Sequence, residues 1–296
     1  IMWRIFDKGS SVLVVFNFWQ RRWFRTVPNY FLFLLLMIPF HFYVKKDPIE
    51  WSVISEYFYF GQNLLKEISY FYGISWSLCV EEWFYLLFPI PILICRNLGF
   101  KNLHSFLITI LLFYVACFLI KNYVLATGIH NLRMVALGRL DSITSGVLVA
   151  VIKLNFNSKK TNILAVLGVA LFMLSVVIMM VSKKDSSENI LLLFLIPLSF
   201  SLVIPKIEQL KFPENKFDFI RNAVTNLSLW SYSIYLSHIP ILFTLYYLTD
   251  DFANNMFLKI LVKVLGFILT IIVSKWLFIY FETPLTNKRP KELRLT

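Results

Sequence analysis

The sequence is poor in charged residues: Asp, Glu, Lys and Arg make up only 16% of its 296 residues, whereas about 25% is usual in soluble domains. Negative charge is especially scarce, with 17 acidic against 29 basic residues. The chain is also 58% hydrophobic, and its mean hydropathy is +0.69. This composition excludes an ordinary soluble domain and predicts a polytopic membrane protein.

Cysteine is scarce as well, and glycine-rich phosphate loops, internal repeats and low-complexity tracts are absent. The three cysteines Cys79, Cys95 and Cys117 fall in predicted helices without metal-ligand spacing. They therefore indicate neither a disulfide framework nor a zinc site, and we interpret them as packing residues. The net charge of +12 comes from basic residues scattered among short loops, which favours membrane orientation over binding to nucleic acid. No tightly bound cofactor or metal is expected.

Apolar runs separated by polar or proline-bearing loops predict eight membrane spans in one all-α bundle that forms a single domain over 1–296. The spans are predicted at 28–44, 74–95, 103–121, 136–153, 162–182, 189–205, 226–248 and 258–281. Between the first two lies an aromatic and acidic segment, 45–73, which we predict to be interfacial or re-entrant because Tyr and Trp favour the headgroup region.

The Lys and Arg residues of the loops predict the orientation of the chain. One alternating set of loops holds about sixteen of them and the other about seven, and the richer side is normally cytoplasmic. The segment 21–25 and the C-terminal tail are therefore expected inside, and the segment 45–73 outside.

Two adjacent carboxylates, Glu81 and Glu82, stand inside the apolar stretch GISWSLCVEEWFYLLFPIPILIC. A charge near the middle of a membrane helix costs at least about 2.5 kcal/mol, so it normally faces a partner, a wet cavity or a substrate. Glu81 shares one helical stripe with Ser77 and Tyr85, which suits a general base. The alternative is that either glutamate is a structural partner of a membrane arginine, Arg139.

A basic box, QRRWFRTVPNYF, carries Arg21, Arg22 and Arg25 just before the first predicted span. In a helix Arg21 and Arg25 would share a face, with Arg22 about 100° away, an arrangement suited to gripping phosphate groups. The alternative interpretation is a cytoplasmic anchor that sets topology.

Three further polar groups interrupt apolar runs. Arg139 and Asp141 in GRLDSITSGVLVA are two residues apart, point nearly opposite ways on a helix and each need another partner. In NLSLWSYSIYLSHIPIL, a polar stripe ends at Tyr235 and His238, where His238 is either a satisfied structural residue or a proton carrier. Glu282 in YFETPLTNKRP is interpreted as a helix stop.

In this order, the motifs RRWFRTVPNYF, SWSLCVEEWFYLLFP, GRLDSITSGVLVA, SYSIYLSHIPIL and FETPL closely resemble the type-3 acyltransferase family of bacterial membrane enzymes. The resemblance implies transfer of an acyl group, commonly acetyl, from cytoplasmic acyl-CoA to a hydroxyl of a cell-envelope glycan such as lipopolysaccharide or another polysaccharide. It also implies a multi-pass protein of the inner membrane, with the bilayer, acyl-CoA and the glycan as its partners.

The resemblance further implies roles for individual residues. The arginine box would face the acyl-CoA donor, and Glu81, Glu82 and His238 would be catalytic. Residues that match the family's remaining polar motifs are expected to contact the acceptor or to be structural: Trp76, Ser77, Arg139, Asp141 and Tyr235. Because the arginines are expected inside and the glutamates nearer the outer end of their helix, the glutamates are expected to be an acceptor-side or proton-handling element, or a partner of Arg139.

One departure from the family pattern concerns a first helix that carries a basic residue and a histidine regarded as central to catalysis. This sequence begins at Ile1 without that helix, and its first histidine is His41. We therefore predict an N-terminally truncated chain that is inactive alone. Two alternatives to a complete acyltransferase stay open: a transporter or flippase for lipid-linked glycan, and an inactive truncated homologue.

Overall fold

A computed structural model of the chain describes residues 2–8, 10–45, 49–155, 161–182, 188–210, 218–249 and 256–293. Within these ranges all regular structure is helical and there is no β-strand, which confirms the all-α prediction. The helices are α1 (Met2–Lys8), α2 (Val12–Pro39), α3 (Trp51–Phe58), α4 (Trp76–Leu87), α5 (Pro89–Asn97), α6 (Asn102–Ala126), α7 (Leu140–Asn155), α8 (Thr161–Val181), α9 (Ile190–Ile207), α10 (Asp218–Leu248), α11 (Met256–Leu277) and α12 (Thr283–Asn287).

Six helical segments of the described chain are long and apolar enough to cross a bilayer, against the eight predicted. They are Val12–Phe42, Gly73–Asn97, Asn102–Ala126, Thr161–Val181, Ile190–Ile207 and Met256–Asn287. The other two predicted spans correspond to α7 and α10. With 16 residues, α7 is shorter than the about 20 residues that a span needs. The 31-residue α10 is long enough, but serines and asparagines dilute its apolar character.

The largest correction to the predicted spans is at α2, which begins at Val12 rather than near residue 28. Ser11 caps the helix, because its side chain accepts a hydrogen bond from the backbone N–H of Val14 at 3.3 Å. The arginine box therefore lies within the helix and not before it. The apolar run alone placed the start too late, since polar residues do not end a helix that has its cap further upstream.

The segment Gly73–Asn97 runs antiparallel to α2 as two helices, α4 and α5, joined at Phe88. Pro89 begins α5. The Phe88 N–H still donates to the Phe84 carbonyl at 2.9 Å, so α4 continues into α5 without a break in the helical hydrogen bonds at Phe88. The indole of Trp19 donates to the Tyr85 carbonyl at 2.9 Å. This antiparallel contact sets the arginines of α2 beside the glutamates of α4.

The segment 45–73 folds back into the bundle after α3, as far as it is described. Gln62 and Asn63 are buried, and the Asn63 carbonyl accepts a hydrogen bond from the Ala136 N–H at 2.8 Å. Burial also raises the pKa of the phenols of Tyr57 and Tyr72, because their ionised forms would lose hydration. Both therefore stay neutral, and Tyr72 donates to the Leu236 carbonyl of α10 at 3.1 Å.

Close helix packing is clearest between α8 and α9. A Cβ added to Gly168 would stand 2.7 Å from the Ser199 carbonyl oxygen and 2.8 Å from a Val203 methyl, so glycine permits this approach. Large apolar side chains cover the outside of the bundle, among them Leu111, Val166 and Met180. This exposed apolar surface fits contact with lipid.

The C-terminal segment lies against the first half of α2. The Asn17 amide donates to the Lys291 carbonyl at 3.0 Å, and Arg21 donates to the Pro290 carbonyl at 2.8 Å. The tail, the start of α2 and Asn97, which accepts from Ser10 at 3.2 Å, therefore share one end of the bundle. Several loop residues used in the charge count lie outside the described residues: Lys46, Lys159, Lys160, Lys183, Lys184, Lys211, Lys216 and Arg294.

Candidate active site

An ion pair between α2 and α4 stands at the centre of the candidate site. The Arg22 guanidinium contacts the Glu81 carboxylate at 2.6 Å and lies 3.9 Å from the centroid of the Tyr85 ring. The Arg22 side chain is 20% exposed, whereas that of Glu81 is 41% exposed. Glu81 is thus held on one side by a cation and remains accessible on the other.

Glu82 faces a different environment from Glu81. Thr26 donates to its Oε1 at 2.8 Å, while its Oε2 is buried without a hydrogen-bond partner in the described chain. Its carboxylate forms part of the wall of an aromatic cavity of about 330 Å³ that also contacts Trp23, Phe31 and Trp83. The two adjacent glutamates thus line two different cavities, Glu82 the aromatic cavity and Glu81 a polar one.

These contacts overturn two expectations about the glutamates. Neither pairs with Arg139, whose guanidinium instead donates to the Leu193 carbonyl of α9 at 3.2 Å. The glutamates are also not separated from the arginine box, because α2 begins early enough to carry Arg22 and Thr26 alongside them. The expectation that the pair lies apart from the arginine box was therefore wrong for Arg22.

A polar cavity of about 310 Å³ joins α2, α4 and α10 around this ion pair. It contains five of the predicted site residues together with others from the same helices. Its lining consists of Arg22, Arg25, Thr26, Ser77, Leu78, Glu81, Ser231, Tyr232 and Tyr235. Arg25 forms no hydrogen bond or ion pair within the described ranges, so its guanidinium is available to a ligand.

Tyr235 closes one side of the polar cavity. Its hydroxyl donates to the Ile74 carbonyl and lies 2.6 Å from the Ser77 hydroxyl. Since the single phenolic proton is engaged by Ile74, the Ser77 hydroxyl is the donor in the second bond. The tyrosine from α10 and the serine from α4 thereby fix the relative positions of their helices.

Glu282 is a third carboxylate near this cavity and, unlike Glu81, it is buried. Its interpretation as a simple helix stop was wrong. The helix continues beyond α11 through a π-helical turn, Phe278–Glu282, into α12. Glu282 Oε2 accepts hydrogen bonds from Ser233 at 2.8 Å and from Asn29 at 3.2 Å. The signal available in the sequence was an acidic residue that ends an apolar run, and the π turn that directs it inward has no sequence signature.

His238 does not contact the glutamates. Its Nδ1 lies 2.7 Å from the Tyr235 carbonyl and 3.2 Å from the Ile234 carbonyl of its own helix, which assigns the proton to Nδ1. The ring lies in a separate, mostly apolar cavity of about 770 Å³ between α10 and α11. That cavity shares Ser231 and Tyr235 with the polar one, so His238 is a neighbour of the site and not a member of the glutamate cluster.

Arg139, Asp141 and Trp76 also lie outside the polar cavity. Asp141 forms a fully buried ion pair with Lys121 of α6 at 2.7 Å, a partner that the sequence did not suggest because Lys121 was counted as a loop residue. Trp76 is half-buried against the apolar core between α4 and α7. The three residues hold helices together, which agrees with their structural alternative.

The arginine box is divided between two environments. Arg22 and Arg25, three residues apart, share the polar cavity, whereas Arg21 faces the C-terminal segment. There a second cavity of about 730 Å³ contains Arg4, Arg21, Asn287, Arg289, Pro290, Lys291 and Glu292. The expectation that Arg21 and Arg25 share a functional face was wrong, because α2 contacts α4 on one side and the tail on another.

Among the described residues, no group of three or more His, Cys, Asp or Glu side chains is arranged to hold a metal ion. The arrangement instead combines an accessible carboxylate, two guanidinium groups and hydroxyl donors in one cavity. Such a set can accept a proton from a hydroxyl and stabilise negative charge that develops on an oxygen.

The chain matches the family Acyl_transf_3, described as an acyltransferase domain, over residues 8–279. No curated protein and no solved structure matches the chain.

Proposed function

This chain belongs to the type-3 acyltransferase family, and from that premise we propose that it transfers an acyl group, acetyl being the expected one, from acyl-CoA to a hydroxyl of a cell-surface glycan. The observation that carries the proposal is the polar cavity, in which Glu81, Arg22 and Arg25 converge with Ser77 and Tyr235. The enzyme works in the bilayer with acyl-CoA on the inner side and a polysaccharide or lipopolysaccharide as acceptor.

In this proposal Glu81 is the general base. The acceptor hydroxyl gives its proton to the Glu81 carboxylate, and its oxygen forms a bond to the thioester carbonyl carbon. Collapse of the resulting oxyanion breaks the carbon–sulfur bond, and the CoA thiolate leaves and takes up a proton. Glu81 suits this role better than Glu82, because it is accessible from the cavity, whereas Glu82 is buried against Thr26.

The two arginines supply the complementary charge. Arg25 forms no hydrogen bond or ion pair within the described residues and lines the same cavity as Glu81, so its guanidinium is suited to the oxyanion of the tetrahedral intermediate. Arg22 holds the Glu81 carboxylate in place through its 2.6 Å contact. This assignment replaces the simpler expectation that all three arginines of the box grip the donor phosphates.

The inner membrane and a cytoplasmic C-terminus remain part of the proposal. They are supported by the Lys and Arg asymmetry of the loops and by the tail contacts, since Asn17, Arg21 and the segment 290–293 occupy one end of the bundle. The donor enters the polar cavity from that end.

The test is mass spectrometry of surface glycans from cells with and without the full-length gene. We expect an acetyl-sized ester on one sugar of the wild-type glycan and its loss in the deletion strain. Complementation with wild type should restore the ester, and complementation with Glu81→Gln should not. Identical glycans in all strains under conditions of proven expression would refute the proposed function.

A further inference from the structure

We propose that the cavity formed by Arg4, Arg21, Arg289 and Lys291 binds the phosphate groups of the acyl-CoA donor. The inference rests on the proposed function and adds a site to it, because it separates the docking of the nucleotide end from the place where the thioester reacts. The polar cavity around Glu81 keeps the acyl group, and this phosphate cavity holds the other end of the same molecule.

The composition of the phosphate cavity supports the assignment. Four cations line it, and the single carboxylate, Glu292, is engaged by Arg4 at 2.9 Å. A volume of about 730 Å³ suits a nucleotide-sized anion, since small-molecule sites commonly measure about 300–1,000 Å³. Guanidinium and ammonium groups are the side chains that bind phosphate most often.

The contacts of the arginine box leave the phosphates without another obvious site in the described chain. Arg22 is engaged by Glu81 and stacks on Tyr85, so only Arg25 of the polar cavity is unengaged. A donor with three phosphate groups requires more positive charge than one guanidinium. The phosphate cavity supplies that charge at the end of the bundle expected to face the cytoplasm.

The phosphate cavity is built on a fixed backbone. Arg21 donates to the Pro290 carbonyl at 2.8 Å, and Asn17 bonds both the Lys291 carbonyl and the Leu293 N–H. The side chains of Arg289 and Lys291 themselves form no hydrogen bond or ion pair in the ranges described. The tail is therefore anchored through its main chain while two of its cations stay available.

The two cavities are also connected along the chain. Arg21 directly precedes Arg22 in α2, and the short α12 links Glu282 to Asn287 and Arg289. Consecutive Cα atoms are about 3.8 Å apart, so the backbone of Arg21, which lines the phosphate cavity, directly adjoins that of Arg22, which lines the polar cavity. A donor with its phosphates at one end and its thioester at the other can therefore occupy both cavities.

The test compares binding of CoA to the purified full-length protein in nanodiscs of zwitterionic lipid, by isothermal titration calorimetry. The double variant Arg289→Gln/Lys291→Gln should raise the Kd for CoA about tenfold or more, because it removes two phosphate contacts, and a tenfold change corresponds to about 1.4 kcal/mol. Lys101→Gln, an exposed change at the start of α6, is the matched control and should leave the Kd unchanged.

Two further probes make the result specific to phosphate. Wild type should bind pantetheine, which lacks all three phosphates, far more weakly than CoA. The ratio of the Kd for pantetheine to the Kd for CoA should be smaller in the double variant than in wild type. Lys291→Arg, which keeps the charge, should bind CoA as wild type does. Because neither Gln substitution removes an intramolecular contact of the described chain, unchanged melting temperatures are expected for all variants.

The outcomes separate this inference from the proposed function. If wild type binds CoA and the double variant binds it equally well, the phosphate cavity is not the donor site and only this inference fails. If wild type binds no CoA, the proposed function fails and this inference with it. If the double variant instead loses retention of phosphatidylglycerol in native mass spectrometry while its Kd for CoA is unchanged, the cavity holds a lipid headgroup and the assignment to the donor is overturned.

Discussion

At the residue scale, the contact between Arg22 and Glu81 joins two motifs that lie 59 positions apart in the sequence. An ion pair in a partly exposed cavity contributes little to stability by itself. The pair matters more for chemistry, because Arg22 holds one carboxylate oxygen and the other forms no hydrogen bond among the described residues. The carboxylate is thereby oriented before any substrate arrives.

Glu81→Gln should lower kcat by about 10²–10⁴-fold, the usual contribution of a general base, since Gln keeps a hydrogen bond to Arg22 but accepts no proton. The Kd for CoA should change much less than kcat. Both are measured on the full-length enzyme, by acyl transfer to isolated glycan and by calorimetry.

Glu50→Gln is the control for Glu81→Gln, because Glu50 is exposed and its side chain accepts a hydrogen bond only from the nearby Ser52, at 2.9 Å, among the described residues. It should leave kcat unchanged. A Glu81→Gln enzyme with wild-type kcat would remove Glu81 from the role of base.

The buried pair of Lys121 and Asp141 gives a second prediction at this scale. Lys121→Met should destabilise the protein by about 3–5 kcal/mol, because it leaves a buried carboxylate without its cation. The double variant Lys121→Met/Asp141→Leu should recover most of that loss, since it removes both charges. The measurement is the free energy of unfolding in detergent by denaturant titration. A single variant as stable as wild type would contradict the structural role of the pair.

At this scale the sequence identified residues that line one cavity better than it predicted their partners. Glu81, Arg22, Arg25, Ser77 and Tyr235 were all singled out, and the structure brings them into one cavity. Lys121 was missed as the partner of Asp141, and Asn29 as a partner of Glu282. A buried polar contact depends on which helices pack together, and local hydropathy does not predict helix pairing. The same reason explains the wrong pairing of the glutamates with Arg139.

At the scale of elements, α8 and α9 depend on a glycine for their close approach. Gly168→Ala should destabilise the protein by about 1–3 kcal/mol, the cost of overpacking, because the new methyl would meet the Ser199 carbonyl and Val203. Its matched control is Gly146→Ala in α7, where nothing lies within 4 Å of the added Cβ. That change should be neutral or stabilising, since alanine favours a helix by about 1 kcal/mol over glycine.

The comparison of Gly168→Ala with Gly146→Ala is made by thermal unfolding of the two variants in the same detergent. Equal melting temperatures would show that α8 and α9 do not pack as closely as the glycine contact requires. Activity should follow stability in both variants, because neither glycine lines the polar cavity.

Helix existence was predictable from hydropathy, whereas helix ends were not. The run of apolar residues located α6, α8 and α9 within a few residues of their observed bounds. It failed at α2, where polar residues from Asn17 to Arg25 continue the helix from its Ser11 cap. Apolar composition reports contact with lipid and core, while a helix end is set by capping and by the first backbone group that lacks a partner.

At the scale of the whole molecule, the tail contacts predict which positions share a side of the membrane. Lys291→Cys and Lys101→Cys should both react with an impermeant thiol reagent only from the cytoplasmic side. Tyr70→Cys, at a position that is 93% exposed, should react only from the opposite side. The native Cys79, Cys95 and Cys117 are buried and should contribute little labelling.

The thiol labelling is carried out on intact cells and on inverted vesicles. Labelling of Lys291→Cys from outside intact cells would refute the orientation, and with it the entry of acyl-CoA from the tail end. Labelling of Lys291→Cys and Lys101→Cys from opposite sides would contradict the fold itself.

The π-helical turn at Phe278–Glu282 has a consequence for insertions and deletions in this chain. A π turn holds one residue more than an α-helical turn, so all residues beyond it are rotated by about 100° from the phase of α11. Deleting one residue, such as Ile279, would restore a regular helix while changing the mean hydropathy of the segment Met256–Asn287 only slightly. Glu282 would then lose its contacts with Asn29 and Ser233 and turn toward lipid. The rotational phase of the helix, more than its composition, therefore keeps that carboxylate inside the protein.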